Sequence, residues 1–122
     1  MGLDGTIKRL DGKPLGTLPE VQQTLQRVFP GIELGTLPGG KAQLQYFAEQ
    51  GIELPEVLRK NYESMPERFA GDFQNETFSA EFLLGSSEMV QQIDVVLRGT
   101  TVASEEYLKI LEMEHGWITT HP

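Results

Sequence analysis

The sequence predicts an α+β fold: an antiparallel sheet of three to five strands with helices packed mainly on one face. Three observations carry this expectation. Between Phe69 and Arg98 the residues alternate apolar and polar with the period of two that strands require. Four of the six phenylalanines (Phe69, Phe73, Phe78, Phe82) fall inside that run. On either side of it, apolar residues recur at helical spacing between recognisable start and stop residues. At 122 residues the chain is expected to form one domain, 1–122, large enough to bury a core without disulfides. Its front half (1–66) reads as helix-rich and its back half (67–122) as a sheet followed by a helix.

Within the meander 69–98, a two-residue turn at Asn75-Glu76 sets Phe73 opposite Phe78, Gly71 opposite Ala80 and Phe69 opposite Phe82. All six lie on one face, and a one-residue slip would throw every aromatic to the other side. A longer loop, Gly85-Ser86-Ser87-Glu88, leads to the next strand, where Ile93, Val95 and Leu97 share the core face. Pairing Leu84 with Gln91 puts Phe82 opposite Ile93 and sets Glu81 opposite Asp94 on the outer face. Opposed like charges are unfavourable. A shift of two residues keeps the core pattern and separates that pair.

Thr6 to Leu15 reads as a small hairpin around Asp11-Gly12. Thr17-Leu18-Pro19-Glu20 is a capping box whose helix carries Val21, Leu25 and Val28 on one face and stops at Phe29-Pro30-Gly31. Gly31 to Gly40 reads as a loop with a brief strand at Ile32–Leu34. Two further helices follow, about Lys41–Gln50 and Pro55–Ser64. After Gly99, Ser104 reads as an N-cap with Glu105 and Glu106 in the first turn, where the helix dipole favours them. Tyr107, Leu108 and Leu111 form its apolar stripe, Gly116 its C-terminal stop, and Trp117–Thr120 a final strand. The segments GTLP, GIEL and LPEV each occur twice, at offsets of 19, 20 and 36 residues. No single period links them, so they are reused helix-boundary chemistry and not a repeat array.

The net charge of −8 is unevenly placed. Residues 1–61 balance seven Lys/Arg against seven Asp/Glu, whereas residues 62–122 set three against eleven. That argues against binding nucleic acid or anionic lipid, which need a basic surface, and for a basic protein partner. The simpler alternative is that acidic surface keeps the chain soluble. With no cysteine, disulfides, thiolate metal sites and a cysteine nucleophile are excluded, and a reducing compartment is the natural expectation. No secretory leader and no apolar run of membrane-spanning length is evident, so the expected location is cytoplasmic. Met1 to Thr6 fits the N-myristoylation pattern, but no basic patch or cysteine supplies the second signal that stable anchoring needs.

Catalytic motifs are thin. Gly35 to Lys41 matches the G-x-x-x-x-G-K spacing of a phosphate-cradling loop, but Ala42 stands where a Mg²⁺-binding hydroxyl is required. A Gly-rich lead into a helix explains the same residues. Glu112 and His115 share a helical face, yet two ligands do not make a zinc site. No serine lies in a nucleophile elbow. No cofactor is expected. The one cluster that period-two alternation assembles is Asp72, Glu81 and Asp94 on the outer sheet face, with Thr77, Ser79 and Arg98 nearby. If the front-half helices leave that face open, Asp72, Glu81, Asp94 and Arg98 form a partner-binding patch; if they cover it, the acids lie at its rim. The expected function is therefore a small, acidic, non-enzymatic protein-binding module, such as an inhibitor, immunity-type or adaptor protein, that takes a basic protein partner. The alternative is a small enzyme or ligand-binding subunit using Gly35–Lys41 or the carboxylates.

Overall fold

The computed structural model describes residues 2–99 and 101–121. Its elements run β1 (Gly2–Arg9), β2 (Gly16–Thr17), α1 (Leu18–Val28), β3 (Glu33–Leu37), α2 (Gly40–Glu49), α3 (Glu56–Glu63), β4 (Arg68–Gln74), β5 (Phe78–Gly85), β6 (Met89–Val90), β7 (Ile93–Gly99), α4 (Thr101–His115) and β8 (Trp117–Thr120). The fold is α+β. The sheet has six strands, in the order β3-β4-β5-β7-β1-β8, and every adjacent pair is antiparallel. A second ribbon pairs β2 with β6.

The expectation of three to five strands falls short because of β1. The residues read as the first arm of a local hairpin instead form an interior strand, wedged between β7 and the edge strand β8. The Asp11-Gly12 turn is present, with Gly12 N–H donating to Arg9 O at 3.2 Å, but the chain leaves it towards β2. Met1, the first residue of the myristoylation pattern, lies outside the described residues; Gly2 is already paired, opposite Arg98. No helix among the described residues is long and apolar enough to cross a membrane.

The capping box forms as read. Thr17 Oγ1 donates to Glu20 Oε1 at 2.7 Å and accepts from Glu20 N–H at 3.4 Å, while Thr17 N–H donates to Glu20 Oε1 at 3.2 Å. The short ribbon ties this helix start to the β5–β7 connection, through Leu15 N–H to Val90 O and Leu18 N–H to Glu88 O. Helix α1 buries Val21, Leu25 and Val28, and then delivers Phe29 into the centre of the core. Phe29 lies 5.3 Å from Phe73, 5.0 Å from Phe82 and 5.2 Å from Tyr107 of α4, ring centroid to centroid. Phe78 completes the group, 5.5 Å from Phe73 and 5.3 Å from Tyr107. Helix α4 starts at Thr101, ahead of the expected N-cap, so Ser104 is a buried residue of its interior rather than its cap.

The β4–β5 register differs from expectation by two residues, and β5–β7 takes the two-residue shift that separates Glu81 from Asp94. Phe73 lies opposite Ala80 and Gly71 opposite Phe82; Phe82 lies opposite Val95 and Glu81 opposite Val96. The β4–β5 turn is longer than two residues because Asn75 Oδ1 accepts three hydrogen bonds, from Thr77 N–H, Thr77 Oγ1 and Phe78 N–H, all at 2.9 Å. This Asx-type cap organises the whole loop. At this same end of the sheet Gly99, at φ 105°, passes so close to Phe78 that an added Cβ would lie 2.6 Å from Thr77 O. That close approach permits the Phe78–Gly99 pairing.

Helices α2 and α3 form a hairpin inserted between β3 and β4. They pack on each other, with Phe47 5.7 Å from Tyr62, and Gly40 approaches the Tyr62 carbonyl so closely that a Cβ there would collide with it. Helices α1 and α4 contribute Val21, Leu25, Val28 and Leu111 to the core that lies on the phenylalanine face of the sheet.

Two outcomes follow for stability. Truncating Phe29 to Ala is expected to cost about 3–5 kcal/mol, as large buried aromatics do, and to lower the urea midpoint far more than any exposed substitution. Thr17→Ala is expected to cost about 1 kcal/mol, the usual weight of an N-cap. The hydrogen bonds from the Thr17 side chain, then from its backbone, hold the Glu20 carboxyl below the usual carboxylate range. A depressed folded pKa stabilises above the unfolded value and is lost as pH falls through the folded one. The stability difference between wild type and Glu20→Gln should therefore shrink on acidification through that range; a constant difference across urea titrations at several pH values would contradict this.

Candidate functional site

With the apolar residues turned inward, the other parity of each strand forms the outer face. The register places its side chains in rows across the sheet. One row runs Glu33, Asp72, Glu81, Val96, Asp4 from β3 to β1. The next runs Gly35, Ala70, Leu83, Asp94, Thr6, Thr120. Adjacent strands lie about 4.8 Å apart, so three carboxylates stand side by side in the first row. Asp94 on β7 and Asp4 on β1 extend the acidic band across the sheet to its fifth strand, and Ala70, Leu83 and Val96 form a half-buried apolar strip between them.

Asp72, Glu81 and Asp94 all lie exposed on this face, as alternation requires. Their neighbours differ from the expected ones. Glu81 and Asp94 are no longer opposed; Glu81 instead faces Asp72, and Asp72 faces Glu33. Arg98 is not a free cation of the patch. Its Nη1 lies 2.9 Å from Glu81 Oε1, with the two side chains 52% and 56% exposed. A pair so exposed contributes at most about 1 kcal/mol, so it tempers the acidic row without neutralising it.

The face is open. A hollow of about 650 Å³ spans β3, β4, β5 and β7, floored by Ala70, Leu83 and Val96 and rimmed by Glu33, Asp72, Glu81 and Asp94. A second hollow of about 450 Å³ adjoins it across β1 and shares Asp94 and Val96. Among the described residues no helical residue lines either one. Gly35 sits at the margin of the larger hollow, where an added Cβ would meet nothing within 4 Å. It forms a notch in the β3 side of the rim.

Three residues of this face lie outside the carboxylate cluster that alternation assembles from the sequence: Glu33 reads as part of a brief strand, Gly35 as part of a loop with phosphate-loop spacing, and Asp4 only as part of the N-myristoylation pattern. The available signal was parity: Ile32 and Leu34 are apolar and flank Glu33, which predicts that Glu33 points away from the core.

The other candidates are placed apart from the open face or dismantled by the fold. Gly35, Thr36 and Leu37 are strand residues paired with Ala70, Phe69 and Arg68, and Gly40 N–H donates to Met65 O at 3.0 Å. Only Pro38 and Gly39 remain between strand and helix, too short a connection to wrap a phosphate. His115 closes α4 with its ring 5.8 Å from Trp117, and its Nε2 is buried with no hydrogen-bond partner among the described residues. No group of three His, Asp or Glu among the described residues is arranged to hold a metal ion. No family model matches the chain, and neither the curated proteins nor the solved structures include a match.

Proposed function

We propose that this protein is a non-enzymatic binding module, of the inhibitor, immunity or adaptor kind, whose open sheet face receives a basic surface of a protein partner. The observation that carries the reading is the row Glu33–Asp72–Glu81, three carboxylates abreast on an uncovered face. Like charges directly opposed on a sheet oppose folding, so their placement in one row fits a surface that is neutralised in a complex. Cationic groups laid across this row would gain from several carboxylates at once, and the acidic back half of the chain would speed their encounter. The apolar strip Ala70–Leu83–Val96 gives the same face something to bury, which a merely solvated acidic surface lacks.

The test separates binding from solubility. Asp72→Lys turns two repulsive neighbours into attractive ones and is expected to stabilise the free protein by roughly 0.2–1 kcal/mol. Binding of a lysine-rich peptide, followed by fluorescence anisotropy at low and at high salt, should at the same time weaken about tenfold or more. The double reversal Glu81→Lys with Asp94→Lys should abolish the salt-sensitive signal while circular dichroism stays native. Peptide affinity equal to wild type in both variants would sink the reading.

A further inference from the structure

Resting on that reading, we infer that the partner is held as an extended strand added to the free edge of β3, with a cationic residue over Glu33 and a large apolar residue entering the Gly35 notch. Strand β3 is the last in the sheet and pairs only with β4. None of its five residues makes a backbone hydrogen bond outside that pairing among the described residues. Four of the five are exposed, Leu34 being the exception.

Proteins usually blunt such an edge with lysine, proline, a bulge or a covering element. Within Glu33–Leu37 there is no lysine and no proline, and the register shift of this region lies in β4, between Phe69 and Ala70. The opposite edge is treated differently: on β8, Trp117 is buried and Ile118 and Thr119 are half-buried, with α4 packed alongside. An unpaired row of N–H and C=O groups is a template for strand addition, in which main-chain bonds give affinity and alternate side chains give specificity.

The side-chain rows fix what the added strand would carry. Residues two apart on it point to the outer face, one in line with Glu33 and Asp72, the next in line with Gly35, Ala70 and Leu83. The first position therefore suits Lys or Arg. The second suits Leu or a similarly large apolar residue, because the missing side chain at Gly35 opens a path from the edge to Ala70 and Leu83. A third outward position lies beside Leu37, which is 39% exposed, and suits another apolar residue. For an antiparallel strand, the direction of every other pair in this sheet, the recognised pattern is thus two apolar residues and then a cation, each separated by one free position.

The probe is a capped peptide, Thr-Val-Thr-Leu-Thr-Lys-Thr, whose order places Lys beside Glu33 when it runs antiparallel to β3, as every other pair in the sheet does; it is titrated into the full chain and followed by calorimetry. Two isomers are compared, one N-methylated on its Leu and Lys, the other on its two inner Thr residues. Along a strand, alternate N–H groups point to opposite edges. Strand addition is therefore expected to cost one isomer about tenfold or more in affinity and to leave the other near the parent. Gly35→Leu, at a position without positive φ and with open space above it, should weaken the parent peptide to a similar degree while the urea midpoint is unchanged. Equal affinities for the two isomers, with salt-sensitive binding intact, would overturn strand addition and leave the acidic-face reading standing. A parent peptide that fails to bind at low salt would remove both. Concentration-dependent dimerisation that the peptide cannot compete away would assign the edge to a second copy of this chain and overturn the inference.

Discussion

The contact on which the molecule depends is Phe29 against the phenylalanine face of the sheet. It is supplied by the residue that ends α1, and it touches β4, β5 and α4 at once. Ring pairs of this kind add about 0.5–1.5 kcal/mol each beyond area burial, and the cluster ties both α1 and α4 to the sheet. Its consequence for function is indirect but strong. Once Phe73, Phe78 and Phe82 are committed to Phe29 and Tyr107, strand parity sends Asp72, Ser79 and Glu81 to the opposite face. The aromatic core and the acidic face are two readings of a single alternation.

That alternation explains what was legible in the sequence. Parity survives any register shift of two, so the inner residues of β4, β5 and β7, and the outward placement of Asp72, Glu81 and Asp94, follow from spacing alone. Adjacency does not. Which carboxylate faces which is set by turn chemistry, and here Asn75, by accepting three hydrogen bonds, moves β5 two residues along β4. Local helix signals were equally readable: the capping box of α1, and the limits of α2 and α3 to within a residue or two. Ser104 was misread because a serine followed by two acids resembles a cap, whereas helical residues already precede it in α4.

The larger omissions are long-range. In β1, glycine at position 5 stands where an inward apolar residue would have marked the strand, and both partner strands come from the last third of the chain. Nothing local announces such pairing, since its stabilisation comes from tertiary contacts. The repeated tetrapeptide GTLP makes the same point. At Gly16 its threonine finds Glu20 three residues on and caps a helix; at Gly35 the corresponding position is Gly39, no reciprocal cap can form, and the threonine becomes a strand residue opposite Phe69. Local chemistry distinguishes the two only if the acid three residues ahead is weighed as heavily as the tetrapeptide itself. Because β1 and β3 were the strands least visible, so were Asp4, Glu33 and Gly35, the residues that turn an acidic trio into a band with an edge.

The same geometry explains why β3 is suited to act as a template rather than to fray. One row of its side chains is anchored: Leu34 packs against the core, and Gly71 on β4 lacks the side chain that would hold Leu34 and Ile32 away, each lying 3.0 Å from where its Cβ would be. Its C-terminal end is fixed through the α2–α3 hairpin, which begins where Gly40 N–H meets Met65 O and returns directly into β4. The strand is therefore held by the core beneath, by β4 on one side and by the hairpin at its end, while its remaining edge and its outer row face solvent. A strand immobilised on three sides has already lost most of the backbone entropy that pairing would cost it. An incoming segment then bears the ordering cost alone, and a short contact suffices where two flexible strands would need a longer one.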